Sequence, residues 1–174
     1  MTKTKKKQGR ININLTKLSK ILWIVIMALG LLGFLFIFAP SLVSDMEGTK
    51  SGIKVTFGEV LAQNDLVKQY IPFSILAFMG YFFPLFACCA MFFNREKENM
   101  WFDIACSVLF LTSVIMIALI PKYIGYINQN YVTVSSVKVL IGGKLGWGAQ
   151  LTLAMSFLGL IASLLKWFSD TYLK

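Results

Sequence analysis

The residues able to do chemistry in this chain are few, and they are poorly placed to act together. There is no histidine in 174 residues, which removes the commonest general base and the commonest metal ligand. Eight acids are present: Asp45, Glu47, Glu59, Asp65, Glu96, Glu98, Asp103 and Asp170. All fall in polar segments or at the ends of apolar runs. Asp103 reads as a helix-capping residue, or as a partner for Arg95 or Lys97. Cys88, Cys89 and Cys106 lie inside apolar runs, equally close to one short polar turn. Cysteines in such places usually behave as small hydrophobes. S-acylation or a redox pair is the sharper alternative. No cysteine lies in an outer loop, so a disulfide framework there is excluded. The stretch Gly142-Gly143-Lys144-Leu145-Gly146-Trp147-Gly148 is glycine-dense but lacks the trailing Lys-Ser/Thr of a phosphate loop. It reads as a flexible turn into a helix. Gln150, the most polar residue inside an apolar run, is expected to bond a backbone carbonyl, with substrate contact as the alternative. The expectation is no catalytic residue, no cofactor and no metal site.

One further pattern has a chemical meaning. Gly148, Thr152, Ser156, Gly159 and Ser163 recur at spacings of four, four, three and four, and so share one helix face. Small residues let helix backbones approach closely, and their hydroxyls bond across the contact. The face reads as intramolecular packing against the first or third helix, or as a partner-docking face. Gly30 and Gly33 are candidate close-contact points for either.

The elements that must position these residues are four apolar runs, 21–39, 71–93, 101–120 and 145–167. Each suits the roughly 30 Å hydrocarbon core of a bilayer at ~1.5 Å rise per residue. With 57% hydrophobic and only 14% charged residues, the chain has too little polar surface for a soluble domain of this size. We expect an all-α transmembrane four-helix bundle, 1–174 as one membrane domain. It comprises a basic tail at 1–20, outer loops at 40–70 and 121–144, and a tight turn at 94–99 that makes helices two and three antiparallel neighbours. The first run is too long for a signal peptide, and Pro40 after Ala39 disfavours cleavage.

The net charge is +9, and its placement sets orientation. Lys3, Lys5, Lys6, Lys7, Arg10, Lys17, Lys20, Arg95, Lys97, Lys166 and Lys174 fall on one side. Lys50, Lys54, Lys68, Lys122, Lys138 and Lys144 fall on the other. The positive-inside rule then places both termini in the cytoplasm of a cell-membrane protein. Trp23, Trp101 and Trp167 mark the inner interface and Trp147 the outer one. Lys5, Lys6, Lys7 and Arg10 are expected to contact anionic lipid headgroups. No aromatic residue is interleaved with them, so nucleic acid is not an expected partner.

The two outer loops resemble each other. Residues 51–58 read Ser-Gly-Ile-Lys-Val-Thr-Phe-Gly, and 135–142 read Ser-Ser-Val-Lys-Val-Leu-Ile-Gly. Each follows a helix that ends in proline, Pro40 or Pro121. β-branched and aromatic residues suggest strands at 53–57 and 131–141, with Ile53, Val55, Phe57, Val137, Val139 and Ile141 as the outer-strand candidates. Paired across the halves, they would form a small extracellular sheet on the bundle. Alternatively, 131–134 and 137–141 form a hairpin about Ser135-Ser136. Residues 59–69 read as a short amphipathic helix, Pro72 as the opening of helix two, and Pro84 as a kink.

With its lysine-rich tail, Phe38-Ala39-Pro40, the segment 51–58 and Gly146-Trp147-Gly148-Ala149, the chain resembles small uncharacterised four-helix membrane proteins of low-GC Gram-positive bacteria. Its preference for lysine over arginine and its abundance of Asn, Ile and Phe fit such a source. The layout is also similar to that of claudins. Their first outer loop carries a Trp…Gly-Leu-Trp…Cys…Cys signature that this loop lacks. The resemblance implies architecture and imports no activity. The expected function is a non-enzymatic membrane protein acting through contacts, with a protein partner or further copies of itself. An accessory subunit of a transport or secretion complex, or an immunity-type protein, would fit. The alternative is a small oligomeric channel or transporter lined by Gln150, Thr152, Ser156, Thr112 and Ser113.

Overall fold

The computed structural model describes the backbone of residues 3–44, 48–94 and 99–172, and the side chains from Leu18 onward. The side chains of Lys5, Lys6, Lys7 and Arg10, and the turn residues Arg95 and Lys97, lie outside the described residues.

Helix α1 spans Lys3–Leu35 and ends in a 3-10 turn, Phe36–Phe38; it therefore takes in most of the segment read above as a tail. Helices α3 (Ile75–Phe93), α4 (Met100–Tyr123) and α5 (Trp147–Tyr172) complete the bundle; a short α2 (Gly52–Phe57) lies between α1 and α3. Among the described residues four segments are long and apolar enough to cross a membrane: Leu18–Phe38, Ile75–Phe93, Met100–Tyr123 and Trp147–Tyr172. They pack as a ring, α1 against α3 and α5, and α4 against α3 and α5. One end of the core holds Ile26, Met91, Cys106 and Phe110. The other holds Ile37, Leu42, Val55, Tyr81 and Ile117. The outside of the bundle is also apolar, with Leu31, Phe86, Val108, Phe157 and Leu165 exposed.

Caps account for two of the boundaries. Helix α3 starts at Ile75 rather than Pro72, because the Ser74 hydroxyl accepts from Ala77 N–H at 3.3 Å. The Asn99 side chain accepts from Trp101 N–H at the start of α4. Pro121 does not end α4; the ladder continues with Ile124 N–H on Ile120 O at 3.1 Å.

Among the described residues seven strands form two antiparallel sheets: β1 (Pro40–Ser44), β2 (Gly48–Ser51), β3 (Glu59–Gln63), β4 (Val67–Ile71), β5 (Gly125–Asn130), β6 (Ser135–Leu140) and β7 (Lys144–Leu145). Their orders are β2-β1-β7 and β3-β4-β5-β6. Both sheets pair strands across the two halves, β1 with β7 and β4 with β5.

The strands are not all where the sequence suggests. Ile53, Val55 and Phe57 are helical, in α2. Burial decides this: Val55 and Thr56 are fully buried, Val55 in the end of the core that holds Ile37 and Tyr81, and packing overrides β propensity. Gly58, at φ +92°, stops the helix while donating its N–H to Lys54 O, a conformation that favours glycine. Residues 59–69 form the β3–β4 hairpin rather than a helix. Its turn is fixed by the Asn64 side chain, which accepts from Leu66 N–H at 3.0 Å and Val67 N–H at 2.6 Å. In the second loop Val137 and Val139 lie in β6, and Ile141 falls just beyond it, buried. The hairpin turns at 131–134 rather than at Ser135-Ser136, because Asn130 Oδ1 accepts from Val132 and Thr133 N–H groups. The two similar segments therefore fold differently, one as helix and one as strand.

Glu59 ties the start of β3 to α2. Its carboxylate accepts hydrogen bonds from Lys54 and, at 3.3 Å, from Lys50. The Lys54 ammonium, reinforced by Lys50, holds the Glu59 carboxyl below the usual carboxylate range against a smaller opposing effect of burial. A lowered folded value stabilises the fold at neutral pH and ceases to do so as pH falls through that range. Partly exposed pairs of this kind are worth less than about 1 kcal/mol. Protection factors at β3, which correct for the intrinsic pH dependence of amide exchange, should therefore fall modestly on acidification, and Glu59→Gln should remove that fall.

Candidate functional site

The small-residue face of α5 turns inward, between α1 and α4. At Gly148 a Cβ would stand 2.6 Å from Ala39 Cβ, so only glycine fits this approach to the end of α1. Thr152 Oγ1 donates to Gly33 O at 3.1 Å. Ser156 and Ser113 share a hydroxyl hydrogen bond of 2.9 Å, and Ser163 and Ser107 one of 2.8 Å. Gly159 leaves room for the Phe110 ring. Of the two roles open to this face, the geometry uses it for helix packing. Gly30 serves α1 in the same way, since a Cβ there would fall 2.5 Å from Pro84 O.

Pro84 sits inside α3 and has no N–H, so the carbonyl four residues earlier, Gly80 O, loses its helical donor. Ser113 supplies the substitute. Its hydroxyl lies 2.6 Å from Gly80 O. In an apolar interior such a replacement donor is what lets a helix keep its proline.

A charged cluster closes one end of the bundle. Lys166 Nζ lies 3.0 and 3.2 Å from the Asp103 carboxylate oxygens and 2.7 Å from Asp170 Oδ2. Lys166 is 4% exposed and Asp103 is 1% exposed. Asn94 Nδ2 approaches Asp103 Oδ1 at 3.5 Å. The alternative partners Arg95 and Lys97 lie outside the described residues; Asp103 pairs with Lys166 of a neighbouring helix. Its place in the first turn of α4 points it across to α5, and a buried lysine there requires a counter-charge.

The remaining candidates are placed as follows. Gln150 Nε2 donates to Leu145 O at 3.0 Å from an exposed position. Thr112 is also exposed and bonds Val108 O of its own helix. Cys106 Sγ lies 3.4 Å from Ala87 O, Cys88 is half-buried and Cys89 is exposed; all three are free. Among the described residues no group of three or more His, Cys, Asp or Glu could hold a metal ion. In the glycine-dense turn Gly142 and Gly143 adopt positive φ, +63° and +131°, on the way into β7.

At the end of the bundle opposite the charged cluster the Ser41 hydroxyl meets the buried Tyr81 hydroxyl, joining β1 to α3. The four-stranded sheet projects from this end, and every residue of β6 is exposed. Sequence reading missed the Lys166 cluster and the Ser41–Tyr81 contact. The spacing of Lys166 and Asp170, one helical turn apart, was a signal for the first. Comparison with protein-family models, with curated proteins and with solved structures finds no match.

Proposed function

We propose that this chain is a multi-pass protein of the cell membrane, with both termini in the cytoplasm, which acts by binding another protein and not by catalysis. An accessory subunit of a transport or secretion complex, or an immunity-type protein, fits this reading. The observation that carries it is how the polar groups are divided. Inside the bundle the hydroxyls of Ser107, Ser113, Thr152, Ser156 and Ser163 are spent on one another and on backbone carbonyls. A pore through one copy would need several of these same groups free. Outside the bundle, β6 leaves a full six-residue strand edge open, and an open edge accepts an added strand.

Affinity capture of the tagged chain from native membranes tests this. A stable partner is expected, and Val137→Pro with Val139→Pro on β6 should reduce its recovery more than tenfold while the helices persist by circular dichroism. A lone symmetric oligomer that conducts ions in liposomes would overturn the proposal in favour of a channel. Orientation is read separately. In a chain whose own cysteines are replaced, a single cysteine at Thr133 should label with an impermeant reagent in intact cells, and one at Thr171 only after the membrane is permeabilised; the reverse pattern would overturn the orientation.

A further inference from the structure

Two grooves flank Ile71-Pro72-Phe73, where β4 hands over to α3. One, of about 190 Å³, lies between the start of α3, the end of α4 and Lys138 of β6. The other, of about 390 Å³, is lined by Phe57, Glu59, Val60, Lys68, Tyr70 and Phe73; the Glu59 carboxylate is already paired with Lys50 and Lys54. The register of the sheet places the two lysines on one face. Val60 pairs with Tyr70, Tyr70 with Ile127, and Ile127 with Lys138. Lys68 is two residues from Tyr70 on the same strand, and its ammonium lies 5.4 Å from the Tyr70 ring centroid. Two strand spacings and two residues put the Lys68 and Lys138 backbones about 12 Å apart. Both long side chains can therefore reach one anion held between them.

Below the grooves an aromatic file descends α3. Phe73 and Phe78 lie 6.2 Å apart, Phe78 and Phe82 stack at 4.2 Å, and Phe86 follows at 6.4 Å. From Ile75 to Phe86 the helix rises about 16 Å, close to half of a ~30 Å hydrocarbon core. An apolar file one leaflet deep, with cations at its head, matches one class of ligand in both charge and length. An extended protein segment fits less well. It would need backbone hydrogen bonds along the file, and a continuous helix offers none there.

We propose that these grooves seat an anionic phospholipid of the outer leaflet, its phosphate between Lys68 and Lys138 and its acyl chain along Phe73, Phe78, Phe82 and Phe86. The proposal rests on the membrane reading above. It makes the outer sheet a lipid-reading element as well as a protein-binding one.

The experiment reconstitutes the full chain in nanodiscs of phosphatidylglycerol and phosphatidylcholine in equal parts. Lipid retained on the detergent-released protein is then counted by native mass spectrometry. Wild type should retain phosphatidylglycerol in roughly thirtyfold preference, the size expected of two lysines acting on one anionic headgroup. Lys68→Gln with Lys138→Gln should abolish the preference. Lys122→Gln with Lys144→Gln, on the same side but lining neither groove, should leave it. Equal retention of the two lipids, an unchanged double variant, or equal loss from both lysine pairs would each overturn the site. So would photocrosslinking from Phe73→benzoylphenylalanine that yields a protein adduct instead of a lipid one. Carbonate extraction of the same preparations checks the membrane reading on its own, because release of the chain would sink that reading whatever lipid is retained.

Discussion

Asp103→Ala should destabilise the bundle by about 3–5 kcal/mol, the range for removing one partner of a buried ion pair. Lys166 is 4% exposed, and two of its three contacts to carboxylate oxygens go to Asp103. Truncation leaves the ammonium with Asp170 alone and opens a void between α4 and α5. Asp103→Leu combined with Lys166→Met should recover most of that loss, since apolar replacement of both partners is often neutral or better. Asp170, in the last turn of α5, can then turn toward water. The measurement is the unfolding midpoint of the purified chain in mixed micelles, followed by tryptophan fluorescence. A loss under about 1 kcal/mol for Asp103→Ala would mean that the Lys166 stem carries its charge out to the interface instead.

Ser113→Ala should cost about 1–3 kcal/mol, the desolvation penalty of a buried carbonyl left without a donor. The effect should depend on Pro84. In a Pro84→Ala background residue 84 regains an N–H, Gly80 O regains its helical partner, and Ser113→Ala should cost less than about 1 kcal/mol. A double-mutant cycle therefore isolates one hydrogen bond, Ser113 Oγ to Gly80 O at 2.6 Å. Equal costs in the two backgrounds would show that Ser113 acts only through Ser156, its other partner at 2.9 Å.

The bundle was legible in the sequence because its signal is one-dimensional. Runs of apolar residues announce helices of a given length, and most boundaries move by only a few residues when caps such as Ser74 and Asn99 are added; the start of α1 is the exception, because the helix continues back through the basic segment to Lys3. The inward face of α5 was legible for the same reason, since spacings of three and four define a helix face without knowledge of its neighbour. The sheet region was legible only in its pairing across the halves. Residues 53–57 have the composition of a strand, yet the space beneath them accepts a short helix with Val55 and Thr56 inside. Nothing local to those residues reports that space. The hairpin turns were set by Asn64 and Asn130, whose side chains cap backbone N–H groups that a reading focused on glycines overlooks. The pair of Asp103 with Lys166 was hidden by separation along the chain, 63 residues, and forms only where α4 packs on α5.

The register of the four-stranded sheet also sets a timetable for the nascent chain. Tyr70 must wait for Ile127 before β4 has both its neighbours, and α3 and α4 are made in between. At ~5–20 residues per second, that leaves the hairpin of β3 and β4 with an open edge for several seconds. Over that interval its protection from wrong pairing must come from outside the polypeptide, or from the twist and lysine content of the hairpin itself.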